Sequence, residues 1–270
     1  MGSLFFLILQ KISDIIWIMN AKKITLLFSK IFLIFLGSVL GLVIFVILGL
    51  NIFKFPYYHD YFSILTKEAK IHGLNEGFTP QGMTYYDNYF ITAGYMNDNS
   101  SSRIYLTDRN SKVVKYYELT SNNTIFNGHT GGLQYHKYYF YLANEGNEIY
   151  KFSADFLSQE SGTKVEIGNP IKVYPNASFV FSKDNYIYIG EFHKNPEYPC
   201  LNIIEHNNTK HFAIVEKYDE SDLSKPIALY SIPERIQGFC IKDDGTIILS
   251  SSWSVNSSYF YVYEKSDIIK

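Results

Sequence analysis

Hydrophobic and polar positions change their rhythm near residue 54. From Ile31 to Phe53 the chain carries no ionisable side chain. At about 1.5 Å rise per residue, a helix of that length crosses a hydrocarbon core of about 30 Å. Beyond it, short runs of apolar and aromatic residues separated by polar turns replace the continuous block, the pattern of strands. Four groups of these runs begin alike, at Pro80-Gln81-Gly82-Met83, His129-Thr130-Gly131-Gly132-Leu133, Ala177-Ser178-Phe179-Val180 and Ile236-Gln237-Gly238-Phe239. Each leads into an apolar or aromatic strand, then a small-residue turn, then a second strand. The expected turns are Ala93-Gly94-Tyr95, Ala143-Asn144-Glu145, Gly190-Glu191-Phe192 and Ser251-Ser252-Trp253. A repeat of about fifty residues falls in the range of propeller blades. The body is therefore predicted to be all-β, a β-propeller of about four to six blades or a truncated relative of a larger ring, preceded by an N-terminal transmembrane helix.

The same pattern divides the chain. Residues 1–30 form a cytoplasmic or interfacial segment, 31–53 the membrane helix, 54–77 a juxtamembrane connector and 78–270 the propeller. The apolar block is longer than the core of a cleaved signal peptide, which favours an uncleaved signal anchor and a single pass. Lys22, Lys23 and Lys30 precede the helix and Lys54 follows it. That bias puts the C-terminal body on the extracytoplasmic side. Met19-Asn20-Ala21-Lys22-Lys23 has the form of a signal-anchor start, so translation is expected to begin at Met19. Lys11 and Asp14 interrupt the first apolar residues, which favours a surface-lying segment there over a second span. Gly37 and Gly41 make a spacing that permits close helix approach, although glycine is common in such helices anyway.

Composition narrows the partners. Lys and Arg number 24 against 26 Asp and Glu, and no basic block follows residue 30, so no nucleic-acid partner is expected. Aromatic residues make up 17% of the chain, which suits half-buried strands.

Candidate chemistry lies at the repeat boundaries. Gln81, His129, Ser178 and Gln237 are expected at equivalent places where successive inner strands start, around one mouth of the channel. They could bind a small polar ligand or an ion, or hydrogen-bond the neighbouring blade. His129 is the titratable member, and as a general base it needs an orienting carboxylate. Asn97-Asp98-Asn99, Asn144-Glu145 and Glu191 offer oxygen ligands suited to calcium, and equally the chemistry of ordinary turns. Glu191 and His193 stand two residues apart, on one side if the strand continues. Tyr95, Phe192 and Trp253 could line a platform for a sugar or peptide, or pack between blades. The polar loop from Lys194 to Lys210 is the longest insertion, which favours a binding or lid role. Cys200 lies in that loop and Cys240 in an apolar strand; in an extracytoplasmic domain the two could pair, but a buried free thiol is the commoner fate in such a strand.

Over Phe78 to Tyr263 the repeat resembles the NHL, gluconolactonase and strictosidine-synthase-like group of β-propellers. That resemblance implies a site in the central channel and, in the hydrolytic members, a channel calcium. On this basis Asn144 and Glu191 would hold calcium, with His129 as base, in a lactonase or esterase-like hydrolase. Those proteins usually have six blades, and four repeats are visible here. The leading expectation is a membrane-anchored extracytoplasmic module that binds a surface protein or a small polar ligand through Gln81, Ser178, Gln237, Tyr95, His193 and Trp253.

Overall fold

The long apolar block becomes helix because its apolar side chains leave the backbone groups to bond along the chain, with Ser38 adding a hydrogen bond from its hydroxyl to Ile34 O. In the computed structural model, which describes residues 2–57, 59–64, 70–206, 208–254 and 256–264, α1 runs from Gly2 to Tyr57. It continues through Lys11 and Asp14 and passes Pro56 by one residue. Its stretch Leu7–Leu50 is long and apolar enough to cross a membrane. A short helix, α2 (His59–Ile64), follows. The chain divides into two compact units, Met1–Glu68 and Ala69–Lys270.

The second unit is built from four sheets arranged as propeller blades. Blade 1 contains β1 (Phe78–Tyr86), β2 (Tyr89–Met96), β3 (Arg103–Asp108), β4 (Val113–Ser121) and the short β5 (Thr124–Ile125). In blade 2, β6 (Gly132–His136), β7 (Tyr139–Asn144) and β8 (Glu148–Ser153) come first. The chain then lays β9 (Lys164–Glu166) parallel against β4 before returning as the outer strand β10 (Ile171–Lys172). Blade 3 has β11 (Ala177–Lys183) and β12 (Tyr186–Glu191), then a side hairpin of β13 (Ile204–His206) and β14 (Thr209–His211), then β15 (Ala213–Asp219) and β16 (Ala228–Ile232). Blade 4 comprises β17 (Ile236–Ile241), β18 (Ile247–Ser251) and β19 (Tyr259–Tyr263).

The register corrects the expected strand pattern. Each first apolar run is two strands joined by a tight hairpin. In blade 1 the turn is Asp87-Asn88, with φ of 44° and 67°. Positive φ at both central residues matches the right-handed twist of paired strands. Blade 2 makes the same turn with Lys137-Tyr138, a pair that does not announce a turn. Consequently Ala93-Gly94-Tyr95 lies inside β2, paired with Thr79, Pro80 and Gly82, and is not a turn.

The three core clusters that join blades alternate with the strands. One face of a blade, here its leading face, packs on the trailing face of the next. Between blades 1 and 2, Ile91, Ala93, Ile104 and Leu106 meet Leu133, Phe140, Leu142 and Tyr150. Between blades 2 and 3, Tyr141, Ala143 and Ile149 meet Val180, Ile187, Ile189 and Tyr218. Between blades 3 and 4, Phe179, Tyr188 and Val215 meet Ile236, Phe239, Leu249 and Tyr261. Two glycines allow the inner strands to approach. A Cβ at Gly82 would stand 2.5 Å from Leu133 N, and one at Gly132 would stand 2.7 Å from Phe179 Cα.

Candidate functional site

Three of the inner strands begin with one extra residue. The ladder slips between Pro80 and Gly82, between Ala177 and Phe179, and between Ile236 and Gly238. Gln81, Ser178 and Gln237 are therefore equivalent, as the sequence suggested. His129 is not their fourth member. Gly132 opposite Ala143 matches Gly82 opposite Ala93, which puts Gly131 in that place and His129 two residues earlier. Two adjacent glycines in the motif hid this offset.

The ends of the second strands hold these approach segments in place. Asn144 and Glu191 occupy equivalent positions, since Ala143 and Gly190 precede them opposite Gly132 and Phe179. Asn144 Oδ1 accepts the His129 N–H at 2.9 Å, and Glu191 Oε1 accepts the Asn176 N–H at 3.0 Å. A buried backbone donor is costly to leave unpaired, so this repeated bond secures the chain where it turns into each inner strand. Ser178 serves the same end: its hydroxyl donates to Asn176 O and accepts from Phe192 N, each at 3.1 Å. Gln81 and Gln237 are exposed.

His129 lies part-exposed with its ring stacked on Tyr95, centroids 4.8 Å apart. Its Nδ1 stands 3.5 Å from Glu145 Oε1, so a carboxylate does sit beside this imidazole. Asp98 of the Asn97–Asn99 turn accepts the Ser100 N–H at 2.9 Å.

Blade 3 contains a buried acidic cluster that sequence reading found only in part. Glu191 and Glu216 are fully buried. Glu191 Oε1 also receives Asn202 Nδ2 at 2.5 Å, while Oε2 has no hydrogen-bond partner. Glu216 Oε2 accepts the Tyr218 hydroxyl, and Oε1 has no partner. Burial pushes both carboxyls above the usual range, and the charge of Glu191 raises Glu216 further. Cys200 is buried and its thiol is pushed up to about 12, by burial first and then by Glu191. Cys240 is only part-buried, against the buried thiol expected there, and both cysteines are free. His193, also buried, accepts the Cys200 N–H on Nδ1 at 2.8 Å and stacks on Phe212. β12 ends at Glu191, so His193 does not extend a shared strand face with it.

The loop after β12 brings an aromatic group to blade 4. Trp253 stands 5.8 Å from Phe192 and 5.6 Å from Tyr198 between ring centroids, and Phe192 and Tyr198 meet edge to face. Lys194 Nζ lies over the Trp253 ring at 4.8 Å. Cation and indole attract through the ring quadrupole. Trp253 also walls a cavity of about 170 Å³, together with Glu234, Arg235, Ser252, Asn256 and Tyr259. His193 Nε2 stands 3.8 Å from Glu234, and its carbonyl accepts the Arg235 N–H. Of the residues singled out from sequence, His193 and Trp253 thus share one neighbourhood, and Tyr95 pairs with His129 elsewhere. Lys194, Tyr198, Glu234 and Arg235 were missed as binding residues, although the polar loop from Lys194 pointed to two of them. Among the described residues, no group of three or more His, Cys, Asp or Glu is placed to hold a metal ion.

No family model matches the sequence, and no curated protein matches it. Some solved structures align with part of the chain. A Bacteroides caccae protein of unknown function aligns at 10% identity over 64% of this chain, with a TM-score of 0.42. The chain spans 56% of that protein's length. The WD40 domain of Toxoplasma gondii coronin aligns at 10% identity over 63% of this chain and 40% of its own, with a TM-score of 0.37. Myxococcus xanthus glutaminyl cyclase aligns at 11% identity over 64% of this chain and 85% of its own, with a TM-score of 0.31.

Proposed function

We propose that this chain is a membrane-anchored binding module whose propeller lies outside the cytoplasm and whose ligand site is the Trp253 cavity. One observation carries the reading. An indole flanked by Phe192 and Tyr198 shares a cavity of about 170 Å³ with an acid, a base and hydroxyl groups. Binding sites combine apolar walls with a few polar groups that fix orientation. This one suits a small polar ligand that presents a flat apolar face to Trp253 and hydroxyl groups to Glu234 and Arg235, as a sugar ring does. The anchor is α1, and the lysines before it favour the extracytoplasmic side for the body.

The calcium-dependent lactonase or esterase reading, implied by resemblance to the NHL and gluconolactonase group, has less support. Asn144 Oδ1 is already engaged by a backbone N–H, and Glu191 Oε1 by two donors. His129 with Glu145 keeps a base and its carboxylate together, but part-exposed and stacked on Tyr95.

The test is a glycan array probed with the full chain in detergent micelles, followed by Trp253→Ala. Binding lost in the variant, at unchanged melting temperature, carries the proposal. A variant that keeps every ligand of the parent sinks it. Protease added to sealed, right-side-out cells should cleave the β domain; full protection would reverse the assigned topology.

A further inference from the structure

The strand register aligns the four blades residue by residue, and among the described residues one face has no neighbour. On the third strand of each blade, Ile104, Ile149, Val215 and Phe260 occupy the same place, opposite Ala93, Ala143, Gly190 and Ser250. The first three are 0% exposed, because the next blade covers them. Phe260 is 68% exposed, and Val262 on the same face is 59% exposed. Gly238 repeats the pattern on the inner strand. It is equivalent to Gly82 and Gly132, whose missing Cβ atoms make room for the backbone of the following blade. A Cβ at Gly238 would meet only Ser250 of its own blade. The leading face of blade 4 has the chemistry of an inter-blade contact, and among the described residues no blade lies against it.

The complementary face stands at the other end of the unit. On the trailing side of blade 1, Met83 is equivalent to Leu133, Val180 and Phe239, and Tyr85 to Tyr135. Leu133 and Val180 are buried against the preceding blade, whereas Met83 is 63% and Tyr85 45% exposed. The outer half of that face is covered by the chain's own approach, where a Cβ on Gly73 would press on the Tyr105 ring and Lys70 N donates to Ser111 Oγ. Among the described residues the inner half is open. β1 packs on β6, β6 on β11 and β11 on β17, and no comparable packing joins β17 to β1 among the described residues.

We propose that the leading face of blade 4, around Phe260, Val262, Cys240 and Gly238, docks the trailing face of blade 1, around Met83 and Tyr85, of a second copy of this chain. The occupant follows from continuity. The same two faces, leading on trailing, make the three inter-blade contacts among the described residues, which leave one face of each kind uncovered. Such a head-to-tail contact is heterologous, so it closes into a ring or extends according to the rotation it imposes.

The repeat alignment supplies the experiment. Cys240 is equivalent to Phe181, and Met83 to Phe239, and those two rings touch across blades 3 and 4 with centroids 5.8 Å apart. Met83→Cys should therefore face the native Cys240 of a neighbouring copy. The full chain in micelles is oxidised with copper phenanthroline, run on a non-reducing gel and peptide-mapped. The expected result is a disulfide-linked dimer or ladder in which the thiol introduced by Met83→Cys is joined to Cys240, reduced at least tenfold by Phe260→Asp at unchanged near-ultraviolet dichroism. The crosslink reports this contact whatever the membrane helices do. A monomer carrying the same linked peptides would overturn the proposal in favour of closure within one chain. Free thiols after oxidation, with Phe260→Cys fully labelled by maleimide, would overturn it in favour of an open face.

Discussion

Replacing Glu216 by glutamine should make the propeller's stability less dependent on pH and raise it at neutral pH. Glu216 and Glu191 are buried on adjacent strands of blade 3, each with one carboxyl oxygen that has no partner. Burial raises both carboxyls above their unfolded value of about 4.5. The native state therefore binds more protons than the unfolded state once pH exceeds that value. Stability is greatest below it and falls as pH rises through the raised native values. Each proton held only by the native state tilts the curve by about 1.4 kcal/mol per pH unit. Glu216→Gln removes one such proton and one buried charge, while its amide oxygen still accepts the Tyr218 hydroxyl. Glu191→Gln does the same opposite Asn176. The measurement is thermal or urea unfolding of the full chain in micelles between pH 4.5 and 8, followed by near-ultraviolet dichroism. Each single variant should show a shallower fall than the parent, and the double variant the shallowest. A Glu216→Gln protein whose stability declines as steeply as the parent's would refute the reasoning.

Further tests address packing and local bonds. Gly132→Ala places a Cβ 2.7 Å from the backbone of Phe179 and Val180, which cannot rotate aside; a loss of about 1–3 kcal/mol is expected in the same unfolding assay. Gly41→Ala is the control, because apart from the adjoining helix backbone nothing lies within 4 Å of where its Cβ would stand. Asn144→Ala strips the His129 N–H of its acceptor, at a cost of about 1 kcal/mol, with faster amide exchange at His129 as the specific readout. For Glu166 burial works to raise the carboxyl, but the N–H groups of Asn123, Asn122 and Gly168 outweigh it and lower it. Its contribution is therefore present above about pH 4.5 and lost as pH falls through the lowered value, so Glu166→Ala should flatten the acid side of the stability curve.

The chain's periodicity by itself determined the class of architecture. An apolar block without charges had to become a helix able to span a membrane, and four recurrences of one β-unit had to become blades, because both patterns are set by local burial along the chain. It also marked Trp253, Glu191 and the loop from Lys194 as chemically unusual. What it could not determine was register. The hairpin at Lys137-Tyr138 carries no turn signature, and the double glycine at 131–132 hid a shift of two residues that removed His129 from the set of Gln81, Ser178 and Gln237. Cross-strand pairing is a long-range property, so a side chain's face changes with a one-residue slip that composition does not record. Only the tertiary structure joined Glu216 to Glu191, placed Trp253 on its cavity, and left Phe260 uncovered where Ile104, Ile149 and Val215 are buried. Those outcomes depend on which sheet follows which around the propeller, and the repeat alone is the same in every blade.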